Sequence, residues 1–287
     1  MTDGSLRTLV AEELAVPVDP RVAAAARAIA EKHGSASRAV LFYGSCLRER
    51  ELEGRMLDFY LIVSDYRAAY AKRWLRLDNR LIPPNVFYFE HDGLAAKYAV
   101  LSEVDFHRLN GPETSSVSVW ARFAQPSRLV WAADGEARDR AIDAVSRAAP
   151  TLLAAAGQRK GEKPLDWWRR AFTLTYSAEL RAERPGRRAS VVDADRERYV
   201  GFTEAAAASI ERQPKASWRW RRIEGKALSV LRLAKASATF AGGPDYIAWK
   251  INRHAGTEIA LKPWQRRHPL LAAISLLPKL LRSGAVR

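Results

Sequence analysis

Cysteine is almost missing from this chain, with Cys46 standing alone among 287 residues. An internal disulfide is therefore excluded, and a reducing compartment, the cytoplasm, is the expected location. Long apolar runs are missing as well. The longest, near the C-terminus, reach about a dozen residues, against the ~20 that a membrane-crossing helix needs, so an integral membrane protein is not expected. The opening MTDGSLRTLVAEELAVPVDP has neither the apolar core of a signal peptide nor the Arg-rich, acid-poor character of a transit peptide, and export is not expected. His33, His91, His107, His254 and His268 keep no metal-ligand spacing, which argues against a zinc site. No internal repeat and no recognisable RNA-binding signature occur, so nucleic acid is the less favoured partner.

What the chain does have is charge of one sign. Its 47 Lys and Arg against 32 Asp and Glu give a formal charge of +15, a surface attractive to nucleotides, nucleic acid and anionic lipid. A hydrophobic content of 48% is ample for a packed core in one large domain or two ordinary ones.

Along the chain, residues 20–33 read as an Ala-rich helix stopped by Gly34-Ser35, and 39–43 as a strand ending in a Gly-Ser turn. A second strand is expected over Met56 to Val63, then a helix over roughly Tyr66 to Asn79, closed by Pro83-Pro84. Asn85 to Glu90 and Leu94 to Leu101 flank Asp92-Gly93, a hairpin signal, because a type I′ turn needs positive φ at both central residues. That turn sets Lys97 opposite Tyr88 and puts Glu90 on the same face. A short strand over Arg128 to Trp131 completes a small mixed sheet. From Gly135 the pattern is helical, over 137–155, 166–183, 195–211 and 224–241. The expected organisation is an α+β fold: a catalytic part over 1–135, a mostly helical part over 136–263 and a basic amphipathic segment over 264–287.

The feature that points to chemistry is Tyr43-Gly44-Ser45 at a strand end, followed 13 residues after the serine by Asp58 inside the apolar strand MLDFYLIV. One carboxylate in such a strand needs a reason, because an unpaired buried charge is costly. A Mg²⁺ ion on a nucleoside triphosphate supplies one, since Mg²⁺ takes hard oxygen ligands and most of its shell from phosphates and water. Gly44 would let the backbone approach the phosphates, and the Ser45 hydroxyl and nearby amides would bind their oxygens. The plainer reading stays open: Gly-Ser is common in ordinary turns, and Asp58 could face solvent or an arginine.

This arrangement resembles the nucleotidyltransferase superfamily, whose members place a Gly-Ser loop before a strand bearing metal-binding carboxylates. Tyr60 stands where a second acid is usual, and Glu90 is the candidate for a further metal-binding carboxylate. A closer resemblance is to the mitochondrial-type phosphatidate cytidylyltransferases, the translocator-maintenance family of CDP-diacylglycerol synthases. It is carried by Phe42-Tyr43-Gly44-Ser45, Met56-Leu57-Asp58-Phe59, Lys97 to Ser102, Trp120 to Pro126 and Thr239 to Pro244, with Ala99 and Ala121 where glycines are usual. The resemblance implies a nucleotidyltransferase-like fold and transfer of CMP from CTP to phosphatidate or a related lipid phosphate, with pyrophosphate released. Asp58 would then hold Mg²⁺, Gly44 and Ser45 the triphosphate, and Lys97 and Arg122 would neutralise phosphate charge. An RNA-directed nucleotidyltransferase and a non-catalytic module that binds membrane or protein are the alternatives.

Two segments suit a lipid surface on the inner face of the cell membrane. In 264–282, Leu270, Ile274, Leu277 and Leu281 fall at helical spacing between Arg266, Arg267, Lys279 and Arg282, the pattern of an interfacial helix, with Pro278 expected to kink it. Ser217 to Arg222 interleaves tryptophan with arginine. That suits headgroups or nucleobases, or else a helix start with core tryptophans and solvated arginines.

Overall fold

The computed structural model describes residues 5–49, 52, 54–179 and 191–239. The expected segment 264–287 and the 239–244 loop beyond its first residue lie outside the described residues. The fold is mixed α and β, built on an open five-stranded sheet. Helix α1 (Leu6–Ala15) leads to α2 (Pro20–His33), strand β1 (Ser37–Tyr43), the short α3 (Ser45–Glu49) and β2 (Met56–Val63). Then follow α4 (Tyr66–Ala69), α5 (Arg73–Leu81), β3 (Asn85–His91), β4 (Leu94–Ser102), α6 (Glu103–Asn110), α7 (Trp120–Phe123) and β5 (Ser127–Ala132). Helices α8 (Gly135–Ser146), α9 (Ala148–Ala156), α10 (Pro164–Ala178), α11 (Arg196–Ala208) and α12 (Trp218–Thr239) complete the described chain.

Spatially the strands run β3-β4-β2-β1-β5, with β2 and β4 parallel and the other pairs antiparallel. Asp92 and Gly93 have φ of 48° and 75°, the two positive values that a type I′ turn needs. The hairpin register follows from that turn, and Tyr88 faces Lys97 as expected.

Because side chains alternate along a strand, β2 serves two faces. Leu57, Phe59, Leu61 and Val63 meet Val22, Ala25, Ala26, Ile29 and Ala30 of α2, whose spacing of three and four makes one apolar stripe. Asp19 starts that helix by accepting from the Arg21 amide at 2.8 Å, with Pro20 in its first turn. On the opposite face, Tyr60 and Ile62 join a larger core with Leu41 and Leu101 that also takes in Leu152, Trp168 and Phe202 from the later helices.

Three differences from the expected elements have local causes. The helix expected over 66–79 is broken, because Tyr70 turns extended and is buried, its hydroxyl 3.3 Å from Asn79 Oδ1. The Arg76 guanidinium secures the break by donating to the carbonyls of Tyr70 at 2.7 Å and Ala71 at 3.2 Å. The helix expected over 137–155 divides at Arg147, where Pro150 has no N–H to offer the carbonyl of Ser146. Helix α1 is not among the expected elements, although Leu6, Val10 and Leu14 at four-residue spacing behind the Ser5 cap carry its signal. No helix among the described residues is long and apolar enough to cross a membrane.

Candidate functional site

The site is assembled at the end of β1. Gly44 leaves the strand with φ of 94°, a conformation that side chains other than glycine's rarely adopt. A Cβ on Gly44 would stand 2.6 Å from Asp58 Oδ2, so close approach of the carboxylate also requires a glycine here. Ser45 is partly buried and opens α3. That short helix is pinned to β2 by Cys46, whose thiol donates to the Met56 carbonyl at 3.4 Å.

Asp58 is flanked in the sheet by Tyr43 on one side and Lys97 on the other. Its Oδ1 lies 2.9 Å from Lys97 Nζ, and the two side chains are 17% and 25% exposed. Oδ1 is buried and has no aligned hydrogen-bond donor. We read the 2.9 Å approach as an ion contact, because charge attraction tolerates an angle that a hydrogen bond does not.

Arg122, on α7, reaches the same place from below the strands. Its Nη1 donates to the Tyr43 hydroxyl at 3.1 Å, its Nε to the Ser118 carbonyl at 3.5 Å, and its guanidinium lies 5.1 Å from the Tyr43 ring centre. Burial pulls the Arg122 pKa down, but the Tyr43 hydroxyl that accepts from it and the carboxylates Glu179 and Asp58 hold it above its ordinary value. Burial raises the pKa of both tyrosines, so they stay neutral. Arg122 is thus a fixed cation.

A further cation arrives from far along the chain. Arg232 on α12 donates from Nη1 to Ser118 Oγ at 2.8 Å and from Nε to the Pro83 carbonyl at 3.0 Å, with Glu179 at 3.8 Å. Burial lowers its pKa, and the carboxylates Glu179 and Glu224 oppose that. Helix α12 can approach this closely because Gly225 lies on the backbone of α10, where a Cβ would stand 2.2 Å from the Ala178 oxygen.

The structure therefore brings together Gly44, Asp58, Lys97 and Arg122 of the expected residues, with Ser45 next in the chain. Glu90 is not in that group. It is exposed at the hairpin, where its Oε2 accepts from the Tyr88 hydroxyl at 3.0 Å. It lies two strands and two residues from Asp58, roughly 12 Å between Cα atoms by ordinary strand spacing and rise. Tyr60, where a second acid would stand, is a core aromatic with ring centres 5.3 Å from Tyr43 and 5.1 Å from Phe123. Sequence reasoning missed Tyr43, Glu179 and Arg232 as site members. Tyr43 is adjacent to the glycine and could have been found, whereas Glu179 and Arg232 carry no local signal.

Lys97, Arg122 and Arg232 bring three cations to Asp58 and Glu179, and Glu224 also acts on Arg232, so the cations are matched by carboxylates until an anionic ligand competes for them. Among the described residues no group of three or more His, Cys, Asp and Glu gathers to hold a metal ion. A Mg²⁺ ion carried in by a triphosphate, with phosphate and water as most of its shell, fits the Asp58 carboxylate once the Lys97 ammonium, 2.9 Å from Oδ1, turns to a phosphate. No protein-family model matches the chain, and comparison with curated proteins gives no match either.

Proposed function

We propose that this chain is a nucleotidyltransferase that moves CMP from CTP to phosphatidate or a related lipid phosphate at the inner face of the cell membrane. The observation that carries the reading is the meeting of a glycine bend, one partly exposed carboxylate and the cations Lys97 and Arg122 at one end of a sheet face. In the reaction, an acceptor phosphate oxygen attacks the α-phosphorus of CTP. The bond to the bridging oxygen breaks, and pyrophosphate leaves with that electron pair. The nucleophile is already an anion, so no strong base is needed, and the work is positioning and charge neutralisation.

Gly44 and Ser45 hold the triphosphate in this reading. Lys97 compensates Asp58 until nucleotide arrives, and its flexible stem then lets the ammonium turn toward a phosphate. Arg122, fixed by Tyr43, supplies a cation that needs no reorganisation. Mg²⁺, held by Asp58 and the phosphates, would neutralise triphosphate charge and polarise the α-phosphoryl group. Tyr60 favours a second reading, a module of this fold that binds nucleotide or membrane without turnover, because the customary second acid is replaced by a core ring.

One experiment separates the two. Full-length protein incubated with labelled CTP, Mg²⁺ and phosphatidate liposomes is expected to yield CDP-diacylglycerol. Asp58→Asn is expected to lower kcat by about 10²-fold or more, the scale of losing a major electrostatic group, with the melting temperature held within a few degrees. CTP binding without transfer to any phosphorylated lipid would establish the non-catalytic reading.

A further inference from the structure

Six of the large apolar side chains exposed among the described residues fall on two helices. Trp74, Leu77 and Leu81 on α5, and Trp220, Ile223 and Leu231 on α12, are 47–67% exposed. Within each helix they are three, four, seven, eight or eleven residues apart, which aligns them in one outward stripe. Both helices repeat the same order around their axes. Beside the apolar stripe runs a row of exposed cations, Arg73 and Arg80 on α5 and Arg219, Arg222 and Lys226 on α12. Beyond it lies the side turned into the protein, with Asn79 buried on α5 and Arg221, Gly225 and Lys235 buried on α12. The two helices are joined where Lys235 Nζ donates to the carbonyls of Asp78 and Ile82 and pairs with the Asp78 carboxylate at 3.5 Å.

We propose that α5 and α12 together form the surface by which this protein lies on an anionic lipid bilayer. A tryptophan in each stripe, branched aliphatics beside it and a flanking row of Lys and Arg are what a headgroup boundary accepts: apolar groups enter the acyl edge while cations stay at the phosphates. Charge argues against other occupants. A second copy packed face to face would bring two rows of like charge into one interface. Residues 240–287 carry eight Lys and Arg against two Asp and Glu, so a cover from that segment brings cations to cations as well. The inference deepens the lipid-phosphate reading, because α12 carries Arg232 on the side opposite its stripe. A bilayer on the outer side then lies about one helix diameter, ~10 Å, from the cation cluster.

The test is flotation of the full-length chain with vesicles of phosphatidylcholine alone or of phosphatidylcholine with a phosphatidylglycerol minority. The wild type is expected to float with the second and stay behind with the first. Two triple variants, Trp74→Ser/Leu77→Ser/Leu81→Ser and Trp220→Ser/Ile223→Ser/Leu231→Ser, are each expected to lose roughly tenfold in partitioning, since binding scales with the apolar area inserted. Arg219→Gln/Arg222→Gln/Lys226→Gln is expected to remove the dependence on phosphatidylglycerol. Unchanged flotation of both serine variants would overturn the proposal. So would a serine variant whose oligomeric state or melting temperature changes while its flotation does not, which would assign the face to a protein contact. CMP transfer to a water-soluble short-chain phosphatidate, measured in parallel, is expected to survive the serine substitutions. Its absence in the wild type would defeat the proposed reaction while leaving the docking surface standing.

Discussion

The two faces of β2 share one backbone and differ in everything else. Leu57, Phe59, Leu61 and Val63 point to a face that α2 seals with alanines, and all four are fully buried. Asp58, Tyr60 and Ile62 point the other way, where the helical cover is complete over Ile62 and Tyr60 but leaves Asp58 17% exposed. The closed face supplies cohesion and offers no polar group to a ligand. The other face is cohesive only as far as Tyr60, and the polar cluster begins where that cover ends. A strand can thus contribute to stability and to a site at once, because alternation keeps the two duties from competing for the same residues.

That contrast can be broken or sharpened by substitution. The largest effect on stability is expected from Phe59→Ala, which opens a cavity against Phe42, 5.3 Å away between ring centres, and should cost about 3–5 kcal/mol. Chemical denaturation measures it, and a loss below about 1 kcal/mol would mean that the alanine-lined face is not the main store of stability. Gly44→Ala comes next, at about 1–3 kcal/mol, because a side chain at positive φ is strained and its Cβ meets the Asp58 carboxylate. Nucleotide affinity measured by calorimetry should fall with it, and an unchanged affinity would separate the bend from the ligand. The smallest expected effect lies at the end of α2, where His33 Nδ1 donates to the Ala69 carbonyl at 3.3 Å and Nε2 lies 3.2 Å from the Tyr98 hydroxyl.

Burial holds the His33 pKa below its usual 6.5. The unfolded chain therefore takes up the proton first as pH falls. The stability from neutral His33 is complete above 6.5 and lost as pH drops through the lower folded-state value. His33→Gln should flatten that acid slope, as read from denaturation midpoints at neutral and mildly acidic pH. A slope equal to wild type would move acid sensitivity elsewhere.

Much of the sheet is legible residue by residue. The bounds of β2, the Asp92-Gly93 turn and the Tyr88–Lys97 pairing follow from alternation and turn chemistry, and so does the place of Asp58 beside Lys97 once the neighbouring strands are known. Helix α2 is legible from its cap and stripe. The stretch Ser217 to Arg222 is a counterexample. A tryptophan reads as core and an arginine as solvated, yet Trp220 is 55% exposed while Arg221 is 1% exposed. Arg221 lies between Trp120 and Trp218 and donates to the carbonyls of Thr114 and Ser115 at 3.1 and 2.6 Å. Residue type was a poor guide there because irregular backbone over 114–115 needs donors, and an arginine on the inward stripe of α12 meets that need.

What the sequence determined alone is whatever is decided by residues within a few positions of one another: strand alternation, helix caps, the hairpin turn and the glycine bend before an acidic strand. Only the tertiary structure decided which charges converge there. Arg232 touches the Pro83 carbonyl across 149 residues of chain, a contact that exists because Gly225 lets one helix lie flat on the backbone of another. Local rules act through short-range sterics and hydrogen bonding, whereas convergence depends on how whole elements pack, and no single segment carries that information.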